Sequence, residues 1–360
     1  MKIAIHYDSL IAEGGAERVV IQLANYLKAD IVTSGFNPKL KKWLQIKVKV
    51  IDIGNLSVRL FKPLGVLFEA PIRFMFYKGA RDYDLNIYCG FTSIYGSNRN
   101  NYNILYCLTP NRIIYDLRNY KQENAGILKR FFLKLHIRFF EKLDQKIVRN
   151  NFKLILSQSR EIKKRVKTFY GLNTNVIYPP LDISSYKYGN PEGFYLTVGR
   201  LFTEKRIDLI IKAFLKMPDK KLIIVGDGPE KSKFNKLIKN SENIKLFTKI
   251  TDSKLKELYT KCIAVIFMAK DEDYGLVPIE ASASGKICIA ANEGGCIETV
   301  INNKTGYLIT PHISEIQATV SKLKNSTLRS MKGDCIKNAR RFNAETSFRN
   351  WDMVISRQNI

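Results

Sequence analysis

Two glutamates, Glu272 and Glu280, lie at the ends of the stretch EDYGLVPIE, whose other residues are mostly apolar. The preceding run AVIFM (264–268) predicts a buried strand, and PIEASASG (278–285) predicts a short helix with Pro278 in its first turn. The glutamates therefore flank a strand-to-helix turn. In an α/β protein this turn lies at the carboxyl edge of the sheet, where ligands bind and where the helix start offers free N–H groups. Two acids there indicate a ligand with both hydroxyls and phosphate.

Two cations are predicted in the turn after another strand of the same sheet. The stretch LTVGRLFTEKRIDLIIKAF (196–214) reads as a strand, a turn with Arg200 and Lys205, and a helix. A planar guanidinium and a compact ammonium five residues apart can converge on one diphosphate. In so basic a chain the alternative is a solvated surface pair, and the position after a strand favours the binding site.

Glycine turns follow several predicted strands. The first βα turn, SLIAEGGAERVV, places Gly14 and Gly15 directly before a helix, where a ligand can approach the backbone closely. The runs VGDGPE (225–230) and NEGGCIETV (292–300) repeat the pattern later in the chain. Each turn alone could be an ordinary loop, but the turns of the second domain follow successive strands of its sheet, and that joint pattern favours a binding site.

The elements that position these residues alternate between short β-rich runs and longer amphipathic runs, which predicts two doubly wound α/β domains with parallel sheets. The junction is predicted at YPPLDISSYKYGNPEG (178–193), which is rich in proline, glycine and serine. Predicted strands of the first sheet are KIAIHY, ADIVTS, KVKVIDI, YDLNIYC, YNILYCL and FKLILSQS; those of the second are GFYLTVGRL, KLIIVGDG, NIKLF, AVIFMA, KICIA and GYLI.

Composition narrows the functional class. The 360 residues suffice for two domains, and no run approaches ~18 apolar residues, so no transmembrane helix is predicted. Six cysteines form no CxxC pair, which predicts buried thiols in a reducing compartment. With only three histidines, a histidine-based metal site is not expected.

The net charge of +26 is uneven, since residues 1–180 contain 30 basic and 13 acidic residues. Such a surface attracts nucleic acid, anionic lipid or a phosphorylated substrate. Segments 58–81 and 126–150 mix aromatic and basic side chains. In the second segment one helical face is predicted to be apolar and the other mostly basic, so it either packs on the sheet or docks on a membrane. The predicted apolar face comprises Leu128, Phe132, Leu135, Phe139, Leu143 and Ile147.

Taken together, these motifs resemble the retaining, nucleotide-sugar-dependent glycosyltransferases of the GT-B fold, group 1 or family 4. The resemblance runs through GGAERVV, SQSREIKKRVKTFYG, VIYPPLD, VGRLFTEK, VGDGPE, EDYGLVPIEASASG and NEGGCIETVINNKTGYL. YPPLD and YCLTPNR are most similar to the branch of mannosyltransferases that extend lipid-linked glycans with GDP-mannose.

The resemblance implies a GT-B fold of two Rossmann-like domains facing a central cleft. It implies an acceptor domain at 1–180, a nucleotide-sugar domain at 181–342, and a terminal helix at 343–360 that returns to the first domain.

The resemblance also implies site residues. Glu280 would accept hydrogen bonds from the ribose hydroxyls, and Glu272 would contact the donor sugar. Arg200 and Lys205 would neutralise the leaving diphosphate without a metal or other cofactor. Backbone groups are expected to assist at four positions, namely Gly14, Gly15, Gly275 and Leu276.

One residue departs from the pattern of the family. Relatives commonly carry a histidine near the donor sugar where this chain has Leu108. Asn111 or Arg112 could supply a polar contact to the sugar or acceptor instead.

The sequence thus predicts a metal-independent retaining transferase that moves a hexose, with mannose from GDP-mannose expected first, to a lipid-linked glycan. It is expected to act in the cytoplasm, peripherally on the anionic inner face of a membrane. The alternatives are a UDP-sugar transferase of capsule or polysaccharide synthesis, a transferase fold without activity, and a basic nucleic-acid-binding protein. The last leaves the paired glutamates unexplained, so no nucleic-acid partner is expected.

Overall fold

The computed structural model describes residues 1–12, 14–54, 62–123 and 125–357, with the backbone alone described at 42–43, 62–68, 121 and 129. Within these residues the chain forms two compact units. One comprises Met1–Pro180 together with the chain from Ser347 onward, and the other comprises Leu181–Thr346.

The first unit is built on a parallel sheet of seven strands in the order β3-β2-β1-β4-β5-β6-β7. Its strands are β1 Ile3–Tyr7, β2 Asp30–Thr33, β3 Val50–Asp52, β4 Leu85–Tyr88, β5 Asn103–Cys107, β6 Leu154–Ser157 and β7 Asn175–Val176. Its helices are α1 Gly15–Leu27, α2 Lys39–Trp43, α3 Lys62–Phe76, α4 Arg118–Glu123, α5 Ile127–Asn151 and α6 Arg160–Tyr170.

The second unit contains a parallel sheet of six strands in the order β10-β9-β8-β11-β12-β13. Its strands are β8 Phe194–Val198, β9 Lys221–Val225, β10 Ile244–Phe247, β11 Val265–Phe267, β12 Cys288–Ala291 and β13 Gly306–Ile309. Its helices are α7 Ile207–Leu215, α8 Lys231–Ile238, α9 Asp252–Lys261, α10 Leu276–Ala283, α11 Cys296–Thr299, α12 Ile313–Lys322 and α13 Asn325–Ala339; the last helix of the chain is α14 Ala344–Ser356.

Both sheets reverse their strand order at one place, between β1 and β4 in the first and between β8 and β11 in the second. At such a switch point the chains leaving two adjacent strands diverge and open a crevice at the carboxyl edge. Hydrophobic β1, β4 and β12 are buried along their whole length, as expected for strands covered on both faces. The predicted pair of Rossmann-like parallel sheets is confirmed, and only the two-residue β7 escaped the sequence pattern.

The last helix completes the first unit, as predicted. Trp351 is fully buried, and its ring meets Tyr106 of β5 edge-on at a centroid distance of 5.1 Å. On the same helix, Phe348 stacks on Tyr26 of α1 at 3.9 Å. The Tyr26 hydroxyl also donates to Asp352 at 2.7 Å. Ring packing therefore holds α14 against the first sheet.

Helix α5 packs on its core with only part of the predicted apolar face, since Leu143 and Ile147 of that face contact the core. Leu128 and Phe139, assigned to the packed face, are 73% and 65% exposed. The buried side instead carries Leu133, Ile137 and Phe140. The helix has apolar residues over more than half of its circumference, so the periodicity alone did not determine which part meets the sheet.

The cysteines and helices of the described residues agree with two further expectations. All six thiols are buried, and none of them forms a disulfide. In the described ranges, no helix combines the length and the apolarity that crossing a bilayer requires.

Replacing Trp351 by alanine is expected to lower the free energy of unfolding by about 3–5 kcal/mol, because it leaves a large cavity against Tyr106. Urea unfolding followed by circular dichroism measures this change. Met353→Ala on the same helix is the matched control, since Met353 is 49% exposed and should change stability by about 0.5 kcal/mol or less. Equal losses in the two variants would contradict the assigned packing.

Candidate functional site

Turns that follow β8 and β11 meet at the switch point of the second sheet. Arg200 and Lys205 come after β8, and Glu272 and Gly275 come after β11. The Lys270 N–H donates to the Glu204 carbonyl at 2.7 Å, which ties the two turns together. Residues far apart in the sequence are thereby collected at one sheet edge.

Lys205 and Glu272 form an ion pair at this edge. The Lys205 ammonium donates to Glu272 Oε2 at 2.6 Å, and the two side chains are 22% and 19% exposed. The ammonium also lies 5.6 Å from the centroid of the Phe267 ring. Partial burial reduces solvent screening, so each group holds the other in place more firmly than an exposed pair would.

A second ion pair, which sequence reasoning missed, lies beside the first. Arg206 Nη1 donates to Glu293 Oε1 at 2.6 Å, and the same oxygen accepts the Asp271 N–H at 3.1 Å. Glu293 follows β12, so it links the turns after three strands. Its place in NEGG next to a predicted glycine turn was the only signal in the sequence.

Arg200 differs from these paired cations. It is exposed, with its guanidinium carbon 5.5 Å from the centroid of the Phe202 ring. No carboxylate of the described residues lies within ion-pair distance of it. Its five N–H donors are therefore available to an anionic ligand.

Helix α10 begins at this edge after Gly275, which has a φ of 95°. A Cβ atom at Gly275 would lie 2.8 Å from Thr299 Oγ1, so both the backbone angle and the space favour glycine. Pro278 lacks an N–H, and the N–H groups of Leu276 and Val277 open the helix. They supply the positive end of the helix dipole to this edge.

Glu280, one turn further along α10, is buried with 7% of its surface exposed. Tyr186 donates to its Oε1 at 3.0 Å, and Tyr259 donates to its Oε2 at 2.6 Å. Burial, followed by the charge of Glu280, raises the pKa of Tyr259 well above its usual value, so this hydroxyl keeps its proton. Neither tyrosine was predicted, because no local pattern connects them with Glu280.

Comparison with known proteins bears on these turns. Residues 183–342 match the family described as Glycosyl transferases group 1. The chain contains a glycosyltransferase group 1 domain.

The relatives extend the similarity beyond this domain. Alpha-1,3/1,6-mannosyltransferase ALG2 of Dictyostelium discoideum is 24% identical over 97% of this chain and 95% of its own length. N-acetyl-alpha-D-glucosaminyl L-malate synthase of Bacillus anthracis is 30% identical over 43% of each chain. The crystal structure of Anabaena Alr3699/HepE in complex with UDP-glucose superimposes with a TM-score of 0.79 at 19% identity, covering 99% of this chain and 100% of that one. The two units thus have the GT-B fold.

Glycines of the glycosyltransferase domain outside α10 serve loop packing. A Cβ atom at Gly226 would lie 1.9 Å from the Gly199 carbonyl oxygen, and one at Gly228 would lie 2.7 Å from the Leu201 oxygen. The glycines of VGDGPE therefore let the turns after β8 and β9 approach each other.

Gly14 and Gly15 belong to the first unit, at the turn between β1 and α1. The Glu17 carboxylate fills the space beside Gly14, where an added Cβ atom would lie 2.3 Å from Oε2. Glu17 also accepts from the Tyr7 hydroxyl at 3.2 Å. The Gly14 turn thus borders a buried acid, and contact of the turn with a diphosphate stays a prediction.

Polar candidates near Leu108 are engaged within the first unit. Leu108 itself is buried. The Arg112 guanidinium pairs with Asp116 at 2.9 Å, and Asn111 Oδ1 accepts the Ile113 N–H at 3.1 Å. A role for Asn111 or Arg112 in sugar or acceptor binding stays a prediction.

Another carboxylate missed from the sequence is Asp8, directly after β1. It accepts hydrogen bonds from the backbone N–H groups of Phe91, Thr92 and Ser93 at 2.8 to 3.1 Å. Burial raises the pKa of its carboxyl group, while these donors act in the opposite direction. Asp8 thereby fixes the turn after β4 at the switch point of the first sheet.

No three His, Cys, Asp or Glu side chains are grouped as a metal site would require, as far as the chain is described. Independence from a metal stays a prediction.

Replacing Tyr259 by phenylalanine is expected to lower the free energy of unfolding by about 1.5–3 kcal/mol, because buried Glu280 loses a donor to its charged group. Urea unfolding measures the change. Tyr307→Phe is the matched control, since Tyr307 packs partly buried against the core of the same unit and is expected to lose no hydrogen bond. The assignment fails if the two variants unfold alike.

Proposed function

We propose that this chain transfers a hexose from a nucleotide diphosphate sugar to a hydroxyl of a glycan acceptor, with retention of the anomeric configuration and without a metal ion. The observation that carries the proposal is the set of groups at the switch point of the second sheet. Unpaired Arg200, the Lys205–Glu272 ion pair and the start of α10 combine cations, a carboxylate and free N–H groups at one edge.

These groups suit a diphosphate leaving group. When the bond between C1 of the sugar and the phosphate oxygen breaks, its electron pair and the growing negative charge go to the diphosphate. Arg200, Lys205 and the N–H groups of Leu276 and Val277 would stabilise that charge more strongly than the charge of the intact donor. Metal is then not needed for this role.

The acceptor oxygen would form the new bond to C1 on the face that the leaving group vacates. In this same-face reaction the departing phosphate oxygen takes the proton of the acceptor hydroxyl, so charge and atoms balance without a protein nucleophile. Glu272 would contact hydroxyls of the sugar while it holds the Lys205 ammonium. Retention follows from attack and departure on one face.

Glu280 is proposed to receive the ribose. Its two oxygens accept from two tyrosines, and a carboxylate has capacity for about four hydrogen bonds. The tyrosines therefore hold the carboxylate in one orientation, in which its oxygens would accept hydrogen bonds from the ribose hydroxyls.

Two nucleotide sugars are supported as the donor substrate. Mannose is favoured by the full-length similarity to the mannosyltransferase ALG2, and GDP-mannose is the form of this donor that the sequence motifs indicate. A UDP-sugar is the second candidate, because HepE, with the same fold, was crystallised with UDP-glucose.

For the acceptor we propose a lipid-linked glycan, reached by peripheral attachment to the anionic inner face of a membrane. The positive charge of residues 1–180 supports this location. A transfer assay with a panel of GDP- and UDP-sugars on a membrane lipid extract tests the function. Release of nucleoside diphosphate with no glycolipid product would contradict a lipid-linked acceptor, and no turnover of any donor would contradict the transferase.

Glu280→Ala is expected to weaken nucleotide-sugar binding by about 1.5–3 kcal/mol, the value of hydrogen bonds to a charged group. Isothermal titration calorimetry measures it. The alanine also leaves the hydroxyls of Tyr186 and Tyr259 without their acceptor. Glu280→Gln is therefore a second variant, which keeps an acceptor oxygen and should weaken binding less. Exposed Glu257→Gln is the control, and unchanged affinity in both Glu280 variants would remove this residue from the site.

Arg200→Ala and Lys205→Ala are each expected to lower kcat about 100-fold with a smaller change in KM, since their effect grows as the diphosphate leaves. Arg200→Lys should restore only part of the rate, because the ammonium lacks the planar fork. Steady-state kinetics with Lys216→Ala, an exposed lysine at the end of α7, is the control. A normal kcat in both alanine variants would refute the leaving-group role.

A further inference from the structure

The outward face of helix α5 carries two parallel ridges of side chains at four-residue spacing. Residues four apart lie along one ridge of an α-helix. The apolar ridge consists of Ile127, Phe131, Leu135 and Phe139. The basic ridge consists of Arg130, Lys134, Arg138, Lys142 and Lys146, all exposed.

The apolar ridge is unusually open. Ile127 is 91% exposed, Phe131 is 61% exposed and Phe139 is 65% exposed, and neighbouring Leu128 is 73% exposed. On the opposite side of α5, Leu133, Ile137 and Phe140 are buried, and the Phe140 ring packs on Tyr95 at a centroid distance of 5.4 Å. The outer side chains therefore contribute nothing to that core. Their exposure to water is unfavourable in free energy.

The basic ridge is not neutralised by the protein. In the part of the chain that the structure describes, no carboxylate pairs with Lys134, Arg138, Lys142 or Lys146. Of the two acids within this part of α5, Glu141 pairs with Arg118 at 2.7 Å, and Asp144 is buried and accepts from the Tyr115 hydroxyl at 2.7 Å. The outer face of α5 therefore has a net positive charge along several turns.

We infer that this face of α5 lies on a bilayer that contains anionic lipid, with the apolar ridge between the headgroups and the basic ridge on their phosphates. A helix with a ridge of large apolar side chains beside a ridge of Lys and Arg suits the interface between water and lipid. The long Lys and Arg side chains can reach the lipid phosphates while the apolar side chains enter the region between the headgroups and the acyl chains. A groove for a protein segment would instead need concave apolar walls.

Neighbouring helix α3 adds to the same inference. It packs against α5, and near its end Ile72, Met75 and Phe76 are exposed by 45%, 41% and 79%. Lys78 follows as an exposed cation. Arg73, by contrast, pairs with Glu69 and its side chain is 8% exposed, so its charge is not offered to a membrane. Arg59 and the side chain of Lys62 lie outside the described residues.

The inference rests on the membrane attachment in the proposed function and names the surface responsible, but its test is independent of the transfer reaction, because attachment requires neither donor nor acceptor. The test is co-sedimentation of the full chain with vesicles of phosphatidylcholine alone or with added phosphatidylglycerol, at low and high salt. Binding is expected to need the anionic lipid and to fall at high salt.

Two triple variants test the contributions of the apolar ridge and the basic ridge separately. Ile127→Gln with Phe131→Gln and Phe139→Gln removes the apolar ridge, and Lys134→Gln with Arg138→Gln and Lys142→Gln removes three charges. Each is expected to reduce the vesicle partition coefficient about tenfold or more. Because all six positions point away from the core, circular dichroism and nucleotide affinity should stay those of the parent.

Matched controls replace side chains of the same kind elsewhere. Exposed Lys216, Lys236 and Lys239 changed together to glutamine remove equal charge, and Leu215→Gln with Met353→Gln removes exposed apolar groups. Both should bind vesicles like the parent. Absent binding at low salt, or equal losses in ridge and control variants, would overturn the inference. So would a dimer in sedimentation that the apolar-ridge variant dissolves, since that face would then join two copies.

Discussion

The candidate site depends on a close approach of backbone to backbone in the second unit. A Cβ atom at Gly294 would lie 2.5 Å from the Glu272 nitrogen, and one at Gly295 would lie 2.5 Å from the Tyr274 oxygen. Only glycine allows the turn after β12 to pack on the turn after β11. The Gly295 N–H donates to the Glu272 carbonyl at 2.6 Å, which fixes the backbone of Glu272.

That fixed backbone determines where the charges lie. With Glu272 held, its carboxylate reaches the Lys205 ammonium across the switch point, and Glu293 from the third turn reaches Arg206. Two ion pairs thus connect turns that belong to three strands. Partly exposed pairs of this kind contribute little to stability by themselves, so their value lies in orienting the groups before a ligand arrives.

The parallel sheets and the turns could be identified from the sequence because both depend on residues that are close together in the chain. Runs of apolar residues specify strands covered on two faces, and Pro278 and Gly285 bracket α10 within two residues of its ends. Sequence reasoning also selected Glu272 and Lys205 as members of one site. It did not foresee that they pair with each other, or that Tyr186 and Tyr259 hold Glu280, since these contacts span 67, 94 and 21 residues and depend on side-chain placement.

Helix α5 shows most clearly why periodicity has a limit. Its apolar residues occupy two arcs, one that meets the sheet and one that does not, and spacing by three and four residues fits both. The arc with Leu133 and Ile137 is buried, and α5 packs against the neighbouring helices α3 and α6. The other arc stays exposed, and it adjoins four cations that no described carboxylate neutralises. An interfacial helix requires exposed apolar side chains beside cations that have no acidic partner in the protein. Neither property could be assigned to α5 until the structure showed which of its two arcs is buried.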